Sequence, residues 1–178
     1  MAVSAAICVK SVNETARLVS ALWTQVGLLE HQPSMQALNY PPHFTFAIYD
    51  AIDANVLRSA ASEVFSDCRK FNVRFEAIRY FDAQPLTLWL EPADPQVLQA
   101  LHEAVHRSID PALCKPHYRP DAWISHCTLG TDIRSENREA ALEMTGSMSE
   151  PIDVVFDVGD CVLFPPVEVL EEYELLQD

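Results

Sequence analysis

Two short stretches of the 178-residue chain place a histidine and a threonine two positions apart inside an otherwise apolar run. The first stretch is PHFTFAIY, with His43 and Thr45, and the second is SHCTLGTD, with His126 and Thr128. Side chains two apart on a β-strand point to the same face. Each stretch, read as a strand, therefore presents an imidazole beside a hydroxyl and turns its apolar neighbours toward a core.

This combination of side chains suits proton transfer around an anionic group. An imidazole titrates near neutral pH, so one histidine can accept a proton while the other donates one. A hydroxyl beside each ring can donate a hydrogen bond to an anionic oxygen. Two such sets facing each other across a groove would hold a tetrahedral phosphate between a base and an acid. In-line displacement at a phosphodiester then needs no nucleophilic serine or cysteine, and we predict neither a metal nor a cofactor.

Each motif taken alone has a simpler interpretation. A histidine and a threonine at the end of a strand can simply be satisfied by backbone hydrogen bonds. Two such pairs, each followed by an apolar residue and each inside an apolar run, are much less expected by accident. The pair of motifs therefore favours a shared site over two unrelated strand ends.

A rival motif lies on a predicted helix, where residues 102–106 read HEAVH. In zinc peptidases of the H-E-x-x-H type the two histidines bind the metal and the glutamate is the general base. The extended form of that motif fails, because Ile109 stands where glycine is needed and Ala112 where a third histidine is needed. The apolar stripe of the helix turns Glu103 toward solvent and leaves His102 at its margin. We interpret HEAVH as a surface coincidence and keep a zinc hydrolase as the weaker alternative.

The charge of the chain is unevenly distributed. The net charge is −14, and residues 135–178 hold 12 acidic side chains against one basic side chain, Arg138. Residues 1–134, which contain both motifs, hold 14 acidic and 11 basic side chains. A protein that grips long nucleic acid needs a basic stripe that displaces counterions. The sequence shows no such stripe, which disfavours a long nucleic-acid track but is compatible with a small anionic ligand.

Composition also bears on the compartment. No apolar run approaches the roughly 18–20 residues that a membrane span needs. The opening MAVSAAICVK lacks the basic and long apolar regions of a signal peptide. Five cysteines, odd in number and without a C-x-x-C pair, are typical of reduced thiols. We expect a cytoplasmic protein that does not associate with membranes, and we expect it to be a monomer.

The elements that must position the motifs alternate along the chain. Strands are predicted over 4–12, 43–49, 71–81, 86–91, 123–130, 152–164 and 167–176. Helices are predicted after caps at Asn13 and Asp53, over about 95–109, and from Ser135 onward, with a loop over 30–42. Each half supplies one H-x-T strand followed by a helix, which indicates two related lobes. No Gly/Ser linker divides them, so we treat residues 1–178 as one domain.

The two motifs resemble the paired H-x-T-Φ motifs (Φ apolar) of the two-histidine (2H) phosphoesterase superfamily, which includes RNA 2′,3′-cyclic phosphodiesterase and 2′-5′ RNA ligase-like proteins. The resemblance covers nearly the whole chain, and PLTLWLEPADPQVLQALHEAV resembles the strand-loop-helix between their motifs. It implies an α+β fold with two pseudo-symmetric lobes of antiparallel sheet and outer helices around a central groove. The chain departs from the pattern at Ser125, where many relatives have proline, and at residues 131–132, where many have a basic residue.

The same resemblance implies a function. It points to a metal-independent phosphoesterase that hydrolyses 2′,3′-cyclic phosphates or 2′-5′ phosphodiester bonds of small nucleotides or RNA ends. It makes His43 and His126 the acid/base pair and Thr45 and Thr128 the phosphate ligands. It favours His126 as the base, although the near-symmetry of the motifs leaves that assignment open. The main alternative is a nucleotide-binding module of the same fold that has lost turnover.

Three further residues are weaker candidates for a role in the site. Tyr118 and Arg119, just before the second motif, could stack on a base and bind a phosphate. A loop aromatic followed by a solvated arginine explains them equally well. Trp89 is predicted to pack between the sheet and a helix rather than to serve as a substrate platform.

Overall fold

The computed structural model describes residues 3–177, which form eight strands and five α-helices. The strands are β1 (Ser4–Lys10), β2 (His43–Tyr49), β3 (Phe71–Phe81), β4 (Leu86–Pro92), β5 (Cys127–Ile133), β6 (Gly146–Phe156), β7 (Val158–Phe164) and β8 (Glu168–Glu174). The helices are α1 (Ala16–Gly27), α2 (Ser34–Ala37), α3 (Ala54–Phe65), α4 (Gln96–Ser108) and α5 (Arg138–Glu143). Within this part of the chain no helix is long and apolar enough to cross a membrane.

The strands form two antiparallel sheets of four strands each. The first sheet has the order β2-β1-β7-β8 and the second has the order β5-β4-β3-β6. Each H-x-T motif lies on an edge strand, the first on β2 and the second at the start of β5. The predicted α+β class with two antiparallel lobes is therefore confirmed.

Two helices pack against a sheet other than the one whose strands they connect. Helix α1 connects β1 to β2 in the first sheet but packs against β5 and β6 of the second, and α4 connects β4 to β5 but packs against β2. One hydrophobic core spans both sheets. Within it the ring of Phe44 on β2 lies 6.0 Å from that of Phe75 on β3 and 4.9 Å from that of Phe156 on β6. Each lobe is thus completed by elements of the other.

The single strand predicted over 152–164 is wrong, because the chain changes sheets inside it. Strand β6 ends at Phe156 and pairs with β3, whereas β7 begins at Val158 and pairs with β1. Between them the Asp157 carboxylate accepts a hydrogen bond from the Val12 N–H at 2.8 Å. Buried residues flank the crossing on both sides. Apolar periodicity therefore carries no signal of the change of sheet.

Helix starts were predicted with mixed success. Asp53 caps α3 as predicted, since its carboxylate accepts two backbone N–H groups of the first turn. Asn13 instead binds the backbone N–H and the hydroxyl of Thr15, and α1 begins later, at Ala16. The predicted loop over 30–42 contains the short helix α2.

The Glu30 carboxylate ties the segment between α1 and α2 to β5. It is 5% exposed and accepts hydrogen bonds from the N–H groups of Thr131, at 2.8 Å, and Asp132, at 3.0 Å. It also accepts from the N–H and the hydroxyl of Ser34, at 2.9 and 2.6 Å. One buried carboxylate thus fixes β5 against α2 three residues beyond Thr128.

We expect Glu30→Ala to lower the free energy of unfolding by about 1.5–3 kcal/mol, the scale of hydrogen bonds to a charged group. The reason is that the N–H groups of β5 that it binds lose their acceptor. Urea denaturation measures the change. Glu143→Ala, which removes an exposed glutamate of α5, is the matched control and should stay within about 0.5 kcal/mol. Equal stability of the two variants would contradict the anchoring role of Glu30.

Candidate active site

The first motif shows the predicted alternation along β2. His43 and Thr45 are half-buried, whereas Phe44 and Phe46 are fully buried. The apolar rings therefore anchor the strand in the core, and the imidazole and the hydroxyl share the opposite face.

The second motif has the same alternation at a shifted boundary. The strand predicted over 123–130 begins four residues too early, because β5 starts at Cys127 and His126 lies immediately before it. His126 and Thr128 are half-buried, and Cys127 and Leu129 are fully buried. The imidazole and the hydroxyl again lie on one side of the chain.

The two motifs meet although they belong to different sheets. Strands β2 and β5 are in contact, and His43, Thr45, His126 and Thr128 all line one cleft of about 300 Å³. Tyr118 lines the same cleft. The geometry therefore brings together the four residues that the sequence singled out.

The backbone orients both imidazoles in the same way. The Nδ1 of His43 donates to the Pro41 carbonyl at 2.8 Å, and the Nδ1 of His126 donates to the Ile124 carbonyl at 2.7 Å. A carbonyl oxygen can only accept, so Nδ1 carries the proton and Nε2 of the neutral ring is an acceptor. The backbone hydrogen bonds expected of a strand-end histidine are thus present, and here they set the tautomer of both rings.

Aromatic rings support each imidazole from the side. Tyr40 meets His43 edge to face with ring centroids 4.8 Å apart, and Phe81 meets His126 in the same way at 5.1 Å. Trp89 stacks on Phe81 at 5.0 Å and lies 5.9 Å from His126. Trp89 is buried, and it lies on the face of β4 opposite Leu88 and Leu90, which belong to the main hydrophobic core. That it also packs against a helix stays a prediction.

Both histidines are less basic than a free imidazole. Burial lowers the pKa of His43 to about 4, aided by the positive charges of His126 and Lys10 and opposed by the hydrogen bond to Pro41. Burial also lowers the pKa of His126, opposed by its hydrogen bond to Ile124. At neutral pH each Nε2 is therefore ready to accept a proton. An anionic phosphate in the cleft would favour protonation of a ring beside it.

A tryptophan from the opposite half of the chain holds the carbonyl of each motif threonine. Trp23 of α1 donates its indole N–H to the Thr128 carbonyl at 3.0 Å. Trp123 donates its indole N–H to the Thr45 carbonyl, also at 3.0 Å. The segment before β5 is thus bonded to the first lobe, which explains why the strand does not start at residue 123. Sequence reasoning missed both residues, because a tryptophan bonded to a distant carbonyl has no local signature.

The two histidines of HEAVH contact the segment that precedes the second motif. His102 and His106 are 4% and 8% exposed, so their interpretation as a surface coincidence is wrong, whereas Glu103 is exposed as predicted. Their Nε2 atoms lie 2.7 and 2.8 Å from the Tyr118 carbonyl, and the His102 ring stacks on Trp123 at 4.2 Å. Among residues 3–177 no group of three or more His, Cys, Asp or Glu side chains is placed to hold a metal ion.

Of the three weaker candidates, only Tyr118 lines the cleft. The Arg119 guanidinium donates to the carbonyls of Cys114 at 3.1 Å and Ala112 at 3.2 Å. These two hydrogen bonds stabilise the loop before the second motif. That Arg119 binds a substrate phosphate stays a prediction.

Two H-x-T motifs that converge on one cleft between two antiparallel lobes are the arrangement of a two-histidine phosphoesterase. The chain matches the model of the 2′-5′ RNA ligase superfamily over residues 13–164, and it belongs to that superfamily. A comparison with curated proteins gave no match.

Solved structures share the fold over nearly the whole chain at low sequence identity. TT0787 of Thermus thermophilus is 13% identical, with a TM-score of 0.65 over 97% of both chains. E. coli LigT complexed with 3′-AMP is 12% identical, with a TM-score of 0.62 over 97% of this chain and 98% of LigT. A protein described as a phosphoesterase is 14% identical, with a TM-score of 0.59 over 97% and 98% of the two chains. At these identities the likeness concerns the fold.

We expect the His43 ring to titrate with a midpoint at about pH 4, which NMR of the ring carbon-bound protons can measure. Because this pKa lies below its value of about 6.5 in the unfolded chain, the unfolded state takes up the proton first as the pH falls. The contribution of neutral His43 to stability is then complete above pH 6.5 and is lost toward pH 4. His43→Asn assigns the resonance by removing it. A midpoint near 6.5 in the folded protein would contradict the burial of the ring.

Proposed function

We propose that the protein is a metal-independent phosphoesterase that hydrolyses 2′,3′-cyclic phosphate or 2′-5′ phosphodiester bonds of small nucleotides or RNA ends. The convergence of two backbone-oriented histidines and two threonines on one cleft carries this proposal. The superfamily and the fold support a phosphoesterase-type function. E. coli LigT was solved with 3′-AMP and with phosphate, ligands of the kind that the proposed site would hold.

The proposed reaction is an in-line displacement at phosphorus. The Nε2 of one neutral imidazole takes a proton from a water molecule as the water oxygen bonds to phosphorus. The other imidazole, protonated beside the anionic phosphate, gives its proton to the 2′ or 3′ oxygen as the bond from phosphorus to that oxygen breaks. The hydroxyls of Thr45 and Thr128 donate hydrogen bonds to the non-bridging oxygens. The two rings have exchanged protonation states when the product leaves.

Which ring acts as the base is a separate question. The resemblance favours His126 as the base and His43 as the acid. The structure gives both rings the same Nδ1-donor tautomer, so each Nε2 is equipped for either role. The same geometry also permits the reverse direction, in which a 2′-hydroxyl loses its proton to one imidazole as its oxygen bonds to phosphorus, and the other imidazole protonates the oxygen that leaves as water. The pH profiles of single-histidine variants distinguish the two assignments.

We expect the protein to turn over members of a panel of 2′,3′-cyclic nucleotides and 2′-5′ dinucleotides in the presence of a strong chelator. His43→Ala and His126→Ala should each lower kcat by about 10²–10⁴, the span of one acid/base group. Thr45→Ala and Thr128→Ala should weaken transition-state binding by about 1–3 kcal/mol, because each removes a hydrogen bond to a charged group.

Other outcomes of this panel support the alternatives. Binding of a nucleoside 2′-phosphate without hydrolysis of any member indicates a non-catalytic nucleotide-binding module. Activity that is lost in chelator, restored by zinc and abolished by His102→Ala indicates a zinc hydrolase. Full activity in either histidine variant, with an unchanged circular dichroism spectrum, would refute the proposed mechanism.

The two tryptophan contacts generate a further prediction. We expect Trp23→Phe and Trp123→Phe to lower kcat by about tenfold or more, because small displacements of catalytic groups are costly. KM should change less, since the cleft keeps its lining. Trp89→Phe is the comparison, since its indole N–H has no hydrogen-bond partner among residues 3–177, and its effect should be smaller. Equal effects of all three changes would mean that the indole hydrogen bonds do not position the motifs.

A cytoplasmic location and a monomeric state stay predictions from the sequence. All five cysteines are free, and four of them are buried, which supports a reducing compartment.

A further inference from the structure

Within residues 3–177, the lining of the cleft contains no permanently charged side chain, and His43 and His126 are its only histidines. None of the described residues that line it is Lys, Arg, Asp or Glu. Burial raises the pKa of Cys8 and of Tyr118 to about 12, so both stay neutral under ordinary conditions. The remaining polar groups are the hydroxyls of Thr45, Thr128, Thr131 and Tyr40.

Four cations near the motifs in the chain or in the sheet are already engaged. Lys10, opposite His43 in the sheet, is 2% exposed and binds Asp160 at 2.7 Å as well as Glu172. Lys115, in the loop before the second motif, pairs with Asp50 at 3.0 Å. The Arg119 guanidinium of that loop binds backbone carbonyls. Arg134, which directly follows β5, donates to the Leu28 carbonyl at 2.8 Å and lies 4.0 Å from the Glu136 carboxylate. These side chains offer little positive charge to a second anionic group of a ligand.

One wall of the cleft is apolar and leads to an acidic edge. Ile48, Val162, Phe164 and Val167 line this wall on the first sheet. Glu168 follows Val167 directly, is exposed, and begins strand β8. Beyond it β8 carries three more exposed glutamates, Glu171, Glu172 and Glu174, of which Glu172 binds Lys10 and Glu171 lies 3.8 Å from the Arg58 guanidinium. The wall therefore favours contact with an apolar group of the ligand. A second anionic group of the ligand near the edge of the wall would be repelled by the negative charge of the glutamates.

Resting on the proposed function, we infer that the substrate carries one anionic group, the reacting phosphodiester, and presents an uncharged base to the apolar wall. A nucleoside 2′,3′-cyclic phosphate with a free 5′-hydroxyl meets both conditions, as does a 2′-5′ dinucleoside monophosphate. An RNA 3′ end does not, because every further nucleotide adds a phosphate. Binding of a second phosphate in the cleft is disfavoured, because that phosphate would lose its water without gaining a cation. It is also disfavoured because the phosphate would lie beside negative charge.

The decisive comparison uses wild-type protein and one cyclic nucleotide in two forms. We expect adenosine 2′,3′-cyclic phosphate with a 5′-hydroxyl to have a kcat/KM about tenfold or more above that of its 5′-phosphorylated form at low salt. The gap should narrow as salt rises, because exposed like charges are screened. Equal or faster turnover of the 5′-phosphorylated form would overturn the inference. Absence of turnover for both forms and for the wider nucleotide panel would instead refute the proposed function.

A charge placed on the apolar wall tests the location of the effect. Val167→Lys should raise kcat/KM for the 5′-phosphorylated form, relative to the unphosphorylated one, by about fivefold. Val56→Lys adds the same charge at an exposed position of the outer helix α3 and should leave that ratio unchanged. An equal gain in both variants would show that net charge, not the wall, governs the preference. If Val167→Lys does not fold, the comparison of the two nucleotide forms with wild-type protein still tests the inference.

Discussion

Two indole hydrogen bonds cross between the halves of the chain, and the candidate site depends on them. Trp23 reaches from the first half to the Thr128 carbonyl, and Trp123 reaches from the second half to the Thr45 carbonyl. Each motif is therefore held partly by the lobe to which it does not belong. The helices follow the same pattern, because α1 packs on the second sheet and α4 packs on the first. The two hydrogen bonds therefore hold β2 and β5 in fixed positions on the two sides of the cleft.

Within the cleft the two histidines are chemically alike but differ in their surroundings. A carbonyl two residues upstream fixes the tautomer of each ring, and burial lowers the pKa of both. Behind His43 lies the buried Lys10, paired with two carboxylates, whereas Phe81 and Trp89 flank His126. The equal tautomers support a shared mechanism. Under the proposed mechanism, the unequal surroundings would let one ring serve as acid and the other as base.

Local patterns were predictable from the sequence, and long-range contacts were not. Period-two alternation gave the correct faces of both motifs, and the Asp53 cap was correct because its partners are two and three residues away. The change of sheet at Asp157 was missed because residues on both sides are buried. His102 was placed at the margin of a helix stripe, yet the loop carrying Tyr118 covers it. The sequence shows that Arg119 is positively charged, but it does not show that backbone carbonyls of the same loop accept its hydrogen bonds.

The central claim is that the two histidines act as one unit on one phosphodiester. A double-mutant cycle on kcat with His43→Ala, His126→Ala and the combined variant tests it most directly. The account predicts that the double variant loses much less than the product of the two single losses, because each imidazole is of little use without its partner. Single losses that multiply in the double variant would show two independent contributions and would contradict the account.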